Sequence, residues 1–185
     1  MQKIPTLLQR NPDDRAHVTD AVTPGCEWVL AGEGVATRKY DGTCVMLDDD
    51  GQWWARREVK PGKASPAGFI EVNVDEVTGK RMGWEPIAQS SFAKFHAEAL
   101  VTAAPAVPGT YELVGPKING NPEGTTAHAL VSHADAESFR TAGVPRTVPD
   151  LVALVAAVGR TGGWEGIVWH HPDGRMAKLK ARDLA

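Results

Sequence analysis

The sequence predicts an α+β protein built mainly from antiparallel strands with a few flanking helices. Short apolar runs are separated by Asp-Gly turns at 41–42, 50–51 and 173–174, which is typical of hairpins. Two stretches carry the three-to-four-residue apolar spacing of a helix instead. With 185 residues and 42% hydrophobic content, the chain can bury one core, so a single domain spanning 1–185 is expected.

The first half of the chain predicts a meander followed by a loop. Strands are expected over 35–40, 43–47 and 52–57, joined by the first two Asp-Gly turns. The segment 61–86 is rich in proline, glycine and charge, which favours a long ordered loop. Ser90 or Ser91 then caps a predicted helix whose apolar side chains recur from 92 to 100.

The second half predicts two more strands, a helix and a hairpin. The strands cover 110–114 and 128–131, on either side of a loop. A helix rich in Leu, Val and Ala covers 149–158 and is stopped by Gly159. The chain then forms a hairpin of 166–170 and 175–180 about a Pro-Asp-Gly turn.

Composition argues against several classes of protein. The formal net charge is −3, which disfavours a protein that coats duplex nucleic acid by neutralising many phosphates but leaves room for a local basic groove. No segment approaches the roughly 20 apolar residues of a membrane helix, and no signal peptide is evident, so a cytoplasmic protein without a membrane partner is expected. Cys26 and Cys44 are too few for a disulfide framework or a zinc site built on thiolates, and no histidine pair is spaced to face one ion.

Three separated segments carry the residue types that a phosphorus-attacking lysine needs. They are Lys39-Tyr40-Asp41-Gly42, Glu165-Gly166-Ile167-Val168 and Lys178-Leu179-Lys180. A lysine nucleophile must be unprotonated near neutral pH, so nearby cations or burial must favour the neutral amine, and acidic groups must hold a metal. Lys178 and Lys180 lie two apart on a predicted strand and therefore point to one face, where they can hold a phosphate charge.

These segments resemble, in order, motifs of the covalent nucleotidyltransferase superfamily, which includes RNA ligases, DNA ligases and capping enzymes. Residues 39–42 look like its Lys-x-Asp-Gly nucleophile motif, and 111–112, 165–168 and 178–180 look like its third, fourth and fifth motifs. The run 111–122 is similar to the RNA ligase group that includes the vertebrate 5′-to-3′ RNA ligase. Because only five residues follow Lys180, no C-terminal oligonucleotide-binding barrel is expected.

The resemblance implies an α+β nucleotidyltransferase (adenylation) domain of ATP-grasp-like type that acts as an ATP-dependent RNA ligase. In family terms Lys39 attacks the α-phosphate of ATP to form lysyl-AMP. The AMP then passes to the 5′-phosphate of one RNA end, and the 3′-hydroxyl of another end displaces it. Glu165 binds Mg²⁺ or Mn²⁺ at the reacting centre, and Lys178 and Lys180 act in catalysis and hold the α-phosphate. No obligate protein partner is implied.

The resemblance also implies contacts to the nucleotide. Glu112 accepts a hydrogen bond from a ribose hydroxyl, and either Arg56 or Arg57 contacts ribose or phosphate, since neighbours on a strand face opposite sides. Asp41 and Gly42 form the turn that orients the nucleophile.

The resemblance leaves the contact to the base open. Many relatives stack an aromatic residue on adenine, where this chain offers the aliphatic and histidine face of 128–133. Trp84, in the predicted loop, is a further candidate for stacking on a base.

Two other functions stay open at this point. One is a DNA ligase or a GTP-dependent capping-type enzyme, which the short chain and the run 115–122 disfavour. The other is a module that binds nucleotide or RNA without turnover, which the retention of every charged motif position disfavours.

Overall fold

The computed structural model describes residues 3–104, 107–139 and 143–184, and its chain divides into two compact units. The terminal unit comprises Ile4–Tyr40 and Ala136–Ala185, and the central unit comprises Asp41–Asp135 with Met1–Lys3. Both consist of antiparallel sheets and a few helices, so the predicted α+β class is confirmed. The single domain spanning 1–185 stays a prediction. None of the helices in the described segments has the length and apolar character needed to span a bilayer.

In chain order the strands are β1 Leu8–Arg10, β2 Val18–Val22, β3 Val35–Lys39, β4 Thr43–Leu47, β5 Trp53–Val59, β6 Ile70–Val74, β7 Arg81–Pro86, β8 Gly109–Val114, β9 Ala129–Ser132, β10 Gly166–His170 and β11 Met176–Lys180. The helices are α1 Trp28–Ala31, α2 Ala93–Thr102 and α3 Val148–Gly162. The predicted strands at 110–114 and 128–131, the helix over 92–100 and the final hairpin are therefore confirmed. The expected cap by Ser90 or Ser91 is wrong, because Phe92 is the N-cap and no side chain caps this helix.

The terminal unit is built around an antiparallel sheet in the order β11, β10, β3. Side chains alternate between its faces, so Ile167 and Leu179 point into a core that Leu151 and Val155 of α3 complete. All four are 1% exposed or less. The opposite face carries the motif lysines, Lys39 of β3 and Lys178 and Lys180 of β11, whereas Arg38, the cross-strand partner of Ile167, lies on the core side.

The predicted meander over 35–57 is correct only in part. β4 and β5 pair antiparallel, but β3 pairs with β10, so Asp41-Gly42 is not a hairpin turn. It is the point where the chain leaves the terminal unit and enters the central unit. An Asp-Gly pair reports a local turn and carries no information on which strand is the partner, because pairing is decided by burial of the strand's apolar face.

The predicted loop over 61–86 is wrong in its second half, where β6 and β7 form an antiparallel hairpin at the edge of a sheet. Ile70 and Val74 of β6 are nearly half exposed, as edge positions are. Gly83 is needed there, since a Cβ would lie 2.2 Å from the Ile70 carbonyl oxygen. Trp84 is buried in β7 and is 4% exposed, so it does not lie in a loop.

The central unit holds this six-stranded sheet, in the order β6, β7, β5, β4, β8, β9. Helix α2 covers one face, where Ala99 meets Val45, Tyr111 and Leu113 in a buried core. Residues one position away in each strand point to the opposite face, so Cys44 and Glu112, which are direct cross-strand partners, lie there side by side.

Helix α3 is longer than predicted. Thr147 caps its first turn by accepting a hydrogen bond from the Asp150 backbone N–H, and it ends at Gly163 with a left-handed φ of 63°. Gly159 lies inside the helix and does not stop it. Its role is packing, because a Cβ at this position would come within 2.4 Å of the Ala181 Cβ.

Candidate functional site

In the terminal unit, one buried carboxylate holds the two lysines that the sequence singled out at opposite ends of the chain. Lys39 Nζ donates to Glu165 Oε2 at 2.5 Å, and Lys180 Nζ donates to Glu165 Oε1. The Glu165 side chain is 6% exposed, and the lysine side chains are 18% and 15% exposed. Lys39 and Lys180 are separated from Glu165 by 126 and 15 positions in the sequence. They nevertheless meet at a single site that is only partly exposed to water.

Strand register explains why these residues converge. Gly166 is the direct cross-strand partner of Lys39 on β3 and of Lys180 on β11. The two lysines therefore flank a position without a side chain, and Glu165, just before β10, reaches both. Gly166 is required at this place, since a Cβ would lie 2.1 Å from the Leu179 carbonyl oxygen.

The electrostatics of Glu165 are set by opposing effects. Burial is the largest single effect and raises its pKa, but the charges of Lys39 and Lys180 and the hydrogen bonds from both outweigh it. The net result is a pKa below the ordinary value of a glutamic acid. Glu165 is therefore ionised at neutral pH and can bind cations.

Two further cations belong to the same region. Arg182, in the short 3₁₀ turn after β11, places its guanidinium 3.5 Å from Glu165 Oε1 and has a side chain that is 66% exposed. The sequence does not predict its position, because strand alternation ends at Lys180 and no longer indicates the direction of later side chains. Lys178 lies on the same face of β11 as Lys180, two register pairs further along, opposite Val168. The structure thus keeps all the predicted cations of this unit on one face.

In the central unit, the Asp41-Gly42 segment is bound on several sides. The Gly42 N–H donates to Glu112 Oε1 at 3.1 Å, and the Asp41 N–H donates to Glu123 Oε1 at 2.8 Å. Asn119 donates from its side-chain amide to the Asp41 carboxylate at 3.1 Å and to the Gly42 carbonyl at 2.8 Å. The turn after the proposed nucleophile is therefore fixed, and Asn119 and Glu123 are residues that the sequence motifs did not reveal.

Gly42 is needed for this close approach, which gives a stability prediction. A Cβ at this position would lie 2.3 Å from the Leu113 carbonyl oxygen and 2.9 Å from Glu112 Cγ. Because backbone cannot move as a side chain can, Gly42→Ala is expected to lower the free energy of unfolding by about 2 kcal/mol or more. Urea unfolding measures the change. Gly143→Ala is the control, since no described residue lies within 4 Å of its added Cβ, and equal losses in both variants would contradict the prediction.

The register of the central sheet decides between the two candidate arginines. Ala55 pairs with Val45, so Arg56 lies on the face of Cys44 and Glu112, and Arg57 lies on the other face. Arg57 is 49% exposed and sits 3.9 Å from Glu85. Arg56 Nε is buried and has no hydrogen-bond partner among the described residues. Arg56 is thus the arginine that shares a face with Glu112.

Comparisons with known proteins assign the chain to no family. No protein-family model matches the chain, and no curated protein matches it.

Glu165 is the carboxylate at the lysine cluster that could serve as a ligand for a divalent cation. Mg²⁺ keeps several waters and is commonly bound by one or two carboxylates together with substrate phosphates, so a single glutamate fits a metal that arrives on a nucleotide. Such an ion would neutralise phosphate charge at the reacting centre. Lys39 and Lys180 each donate to one Glu165 oxygen, so a metal ion bound here would share that carboxylate with both lysines.

Proposed function

We propose that the protein is an ATP-dependent RNA ligase with a nucleotidyltransferase fold, acting through a lysyl-AMP intermediate. The observation that carries the proposal is the convergence of Lys39 and Lys180 on Glu165. These residues come from three motifs whose order resembles the superfamily. A lysine that only closes a turn or protects a sheet edge against aggregation needs no shared buried carboxylate.

The first step is adenylation of the protein. In the ion pair with Glu165, Lys39 is an ammonium group, so it first releases one proton to solvent. The neutral amine then attacks the α-phosphorus of ATP, a nitrogen–phosphorus bond forms, the bond to the β-phosphate oxygen breaks, and pyrophosphate leaves with its electron pair. The amine gives up its proton in this step, and Glu165 Oε2, at 2.5 Å from Nζ, is the nearest carboxylate oxygen to accept it. Lys180 and Lys178 stabilise the negative charge on the α-phosphate as it is transferred.

The later steps come from the resemblance. An oxygen of an RNA 5′-phosphate attacks the phosphorus of lysyl-AMP, the nitrogen–phosphorus bond breaks, and the Lys39 amine regains a proton. The 3′-hydroxyl of a second RNA end then attacks the activated 5′-phosphorus and releases AMP. The cationic face that carries Lys178 and Lys180 suits these phosphate-rich partners.

The two candidate arginines of the central unit, Arg56 and Arg57, provide a matched pair of variants that tests which one contacts the nucleotide. Arg56→Ala is expected to raise the ATP concentration for half-maximal adduct formation at least about tenfold, because a hydrogen bond to a charged group contributes about 1.5–3 kcal/mol. Arg57→Ala should change it less than about twofold, since Arg57 is half exposed on the other face of the sheet. Titration of ATP in the adduct assay measures both. A larger effect of Arg57→Ala would refute the assignment.

The decisive experiment for the function uses ATP labelled at the α-phosphate. Protein purified free of bound AMP is incubated with this ATP and Mg²⁺ or Mn²⁺ and run on a denaturing gel, where a labelled protein band reports the adduct. Labelled GTP in a parallel lane tests for a capping-type enzyme. Nicked DNA and RNA ends with a 5′-phosphate and a 3′-hydroxyl are then compared as substrates. Tight ATP binding without a labelled band would favour the non-catalytic module instead.

A further inference from the structure

A second cluster of chemically active side chains lies in the central unit. The ligand atoms of Cys44, Glu112 and His133 all lie within 4.8 Å of one another. Cys44 and Glu112 are cross-strand partners on β4 and β8, and His133 follows the end of β9. Cys44 and Glu112 are 8% and 9% exposed, and the His133 side chain is 26% exposed. The three groups thus lie on or next to neighbouring strands of one sheet and remain partly accessible.

The surroundings of these groups hold them in place. His133 Nε2 is 3.0 Å from Glu112 Oε2, and its other ring nitrogen, Nδ1, is 2.9 Å from the Thr110 hydroxyl. The remaining carboxylate oxygen of Glu112 accepts the Gly42 N–H. Without a metal, Nε2 carries the proton that the Glu112 carboxylate accepts. On metal binding the ring proton can move to Nδ1, where the Thr110 hydroxyl accepts it, and the Nε2 lone pair becomes available. Such outer contacts are what metal-binding histidines and carboxylates normally have.

We propose that Cys44, Glu112 and His133 form a binding site for one divalent transition-metal ion of the Zn²⁺ type. One sulfur, one nitrogen and one oxygen ligand suit a borderline-soft ion and not Mg²⁺, which takes oxygen ligands alone. Around a tetrahedral Zn²⁺ the ligand atoms lie roughly 3.3–3.8 Å apart, given metal–ligand distances of about 2.0–2.3 Å. The present spacing needs only side-chain adjustment to reach that value.

Charge balance supports the same ion class. Binding removes the thiol proton of Cys44, and the resulting thiolate and the Glu112 carboxylate together neutralise a dication, while the imidazole stays neutral. Three protein ligands leave a fourth position for water or another small ligand. Where the proposed function holds, the ion and a ribose hydroxyl compete for Glu112, so the metal would oppose adenylation.

The test uses Co²⁺ as a spectroscopic substitute for Zn²⁺, added to the full chain without nucleotide. A near-ultraviolet charge-transfer band from a cobalt–thiolate bond is expected, and Zn²⁺ should abolish it by displacement. Cys44→Ser should eliminate the band, and His133→Ala should weaken Co²⁺ binding more than about tenfold. Cys26→Ser is the matched control, because Cys26 is a buried cysteine of the terminal unit and should leave the band unchanged.

Three results would overturn the site. They are the absence of a band in the wild type, its persistence in Cys44→Ser, and its loss in Cys26→Ser. Far-ultraviolet circular dichroism shows whether each variant is folded. If Cys44→Ser does not fold, His133→Ala tests the site by removing a different ligand. The readout needs neither ATP nor RNA, so failure of the ligase proposal leaves this outcome unaffected.

Discussion

Lys39→Arg is expected to abolish the covalent protein–AMP adduct while the protein stays folded. A guanidinium keeps the positive charge and can still pair with Glu165, so the ion pair that buries this position survives the change. It cannot lose its proton in a protein, and it therefore cannot act as the attacking amine. The substitution separates nucleophilic attack from electrostatic support, which Lys39→Ala would remove together. The measurement is the α-labelled adduct on a denaturing gel, with Lys39→Ala alongside.

Lys94→Arg provides the matched control. Lys94 lies on α2, and its side chain is 80% exposed, so this variant should form the adduct at the wild-type level. Thermal unfolding of the three proteins shows whether the fold is retained. A band of wild-type intensity in the Lys39→Arg lane would show that another residue is the nucleophile.

Glu165→Gln has the second largest expected effect, on both activity and stability. Glutamine offers a single acceptor oxygen and turns an amide NH₂ toward one of the two lysines, so at least one ammonium loses its partner. The two partly buried ammonium groups then repel each other without an intervening negative charge. Removal of one partner from a buried ion pair lowers the free energy of unfolding by about 3 kcal/mol or more, and loss of one preorganised charge slows adenylation on the order of 10²-fold.

The control is Glu137→Gln in the same unit. Glu137 is 59% exposed and lies 3.8 Å from the Arg38 guanidinium, so its loss should change the free energy of unfolding by less than about 1 kcal/mol. Comparable losses in the two variants would mean that the Glu165 cluster is no stronger than a surface ion pair.

The stability difference between wild type and Glu165→Gln should depend on pH in a predictable direction. Because the pKa of Glu165 is lowered in the folded state, its charge contributes stability that is fully present above the unfolded-state pKa of about 4.3. That contribution is lost as the pH falls through the lower folded-state pKa. Glutamine does not titrate. The difference in melting temperature between wild type and Glu165→Gln should therefore stay constant from neutral pH to about pH 5 and shrink below about pH 4. A difference that grows on acidification would contradict the assignment.

Local sequence signals indicated most elements but not all of their partners. The final hairpin and helix α2 follow from turn chemistry and apolar spacing, which act over a few residues. The β3 partner was mistaken, and β6 with β7 was missed, because an edge hairpin needs little apolar surface and resembles a loop in composition. The proposed metal site at Cys44 has no local sequence signature, because its three residue types come from three strands or their ends.

The sequence by itself determined the α+β class, the pairing of Lys178 with Lys180 on one strand face, and the types of residue available for the chemistry. These depend on backbone periodicity and turn preferences, which neighbouring residues specify. Only the tertiary structure decided that Lys39 and Lys180 meet at Glu165, that Arg56 and not Arg57 shares a face with Glu112, and that Arg182 joins the terminal cluster. Those facts depend on the register between strands far apart in the chain. Register is set by which faces are buried together, and no local stretch of sequence contains that information.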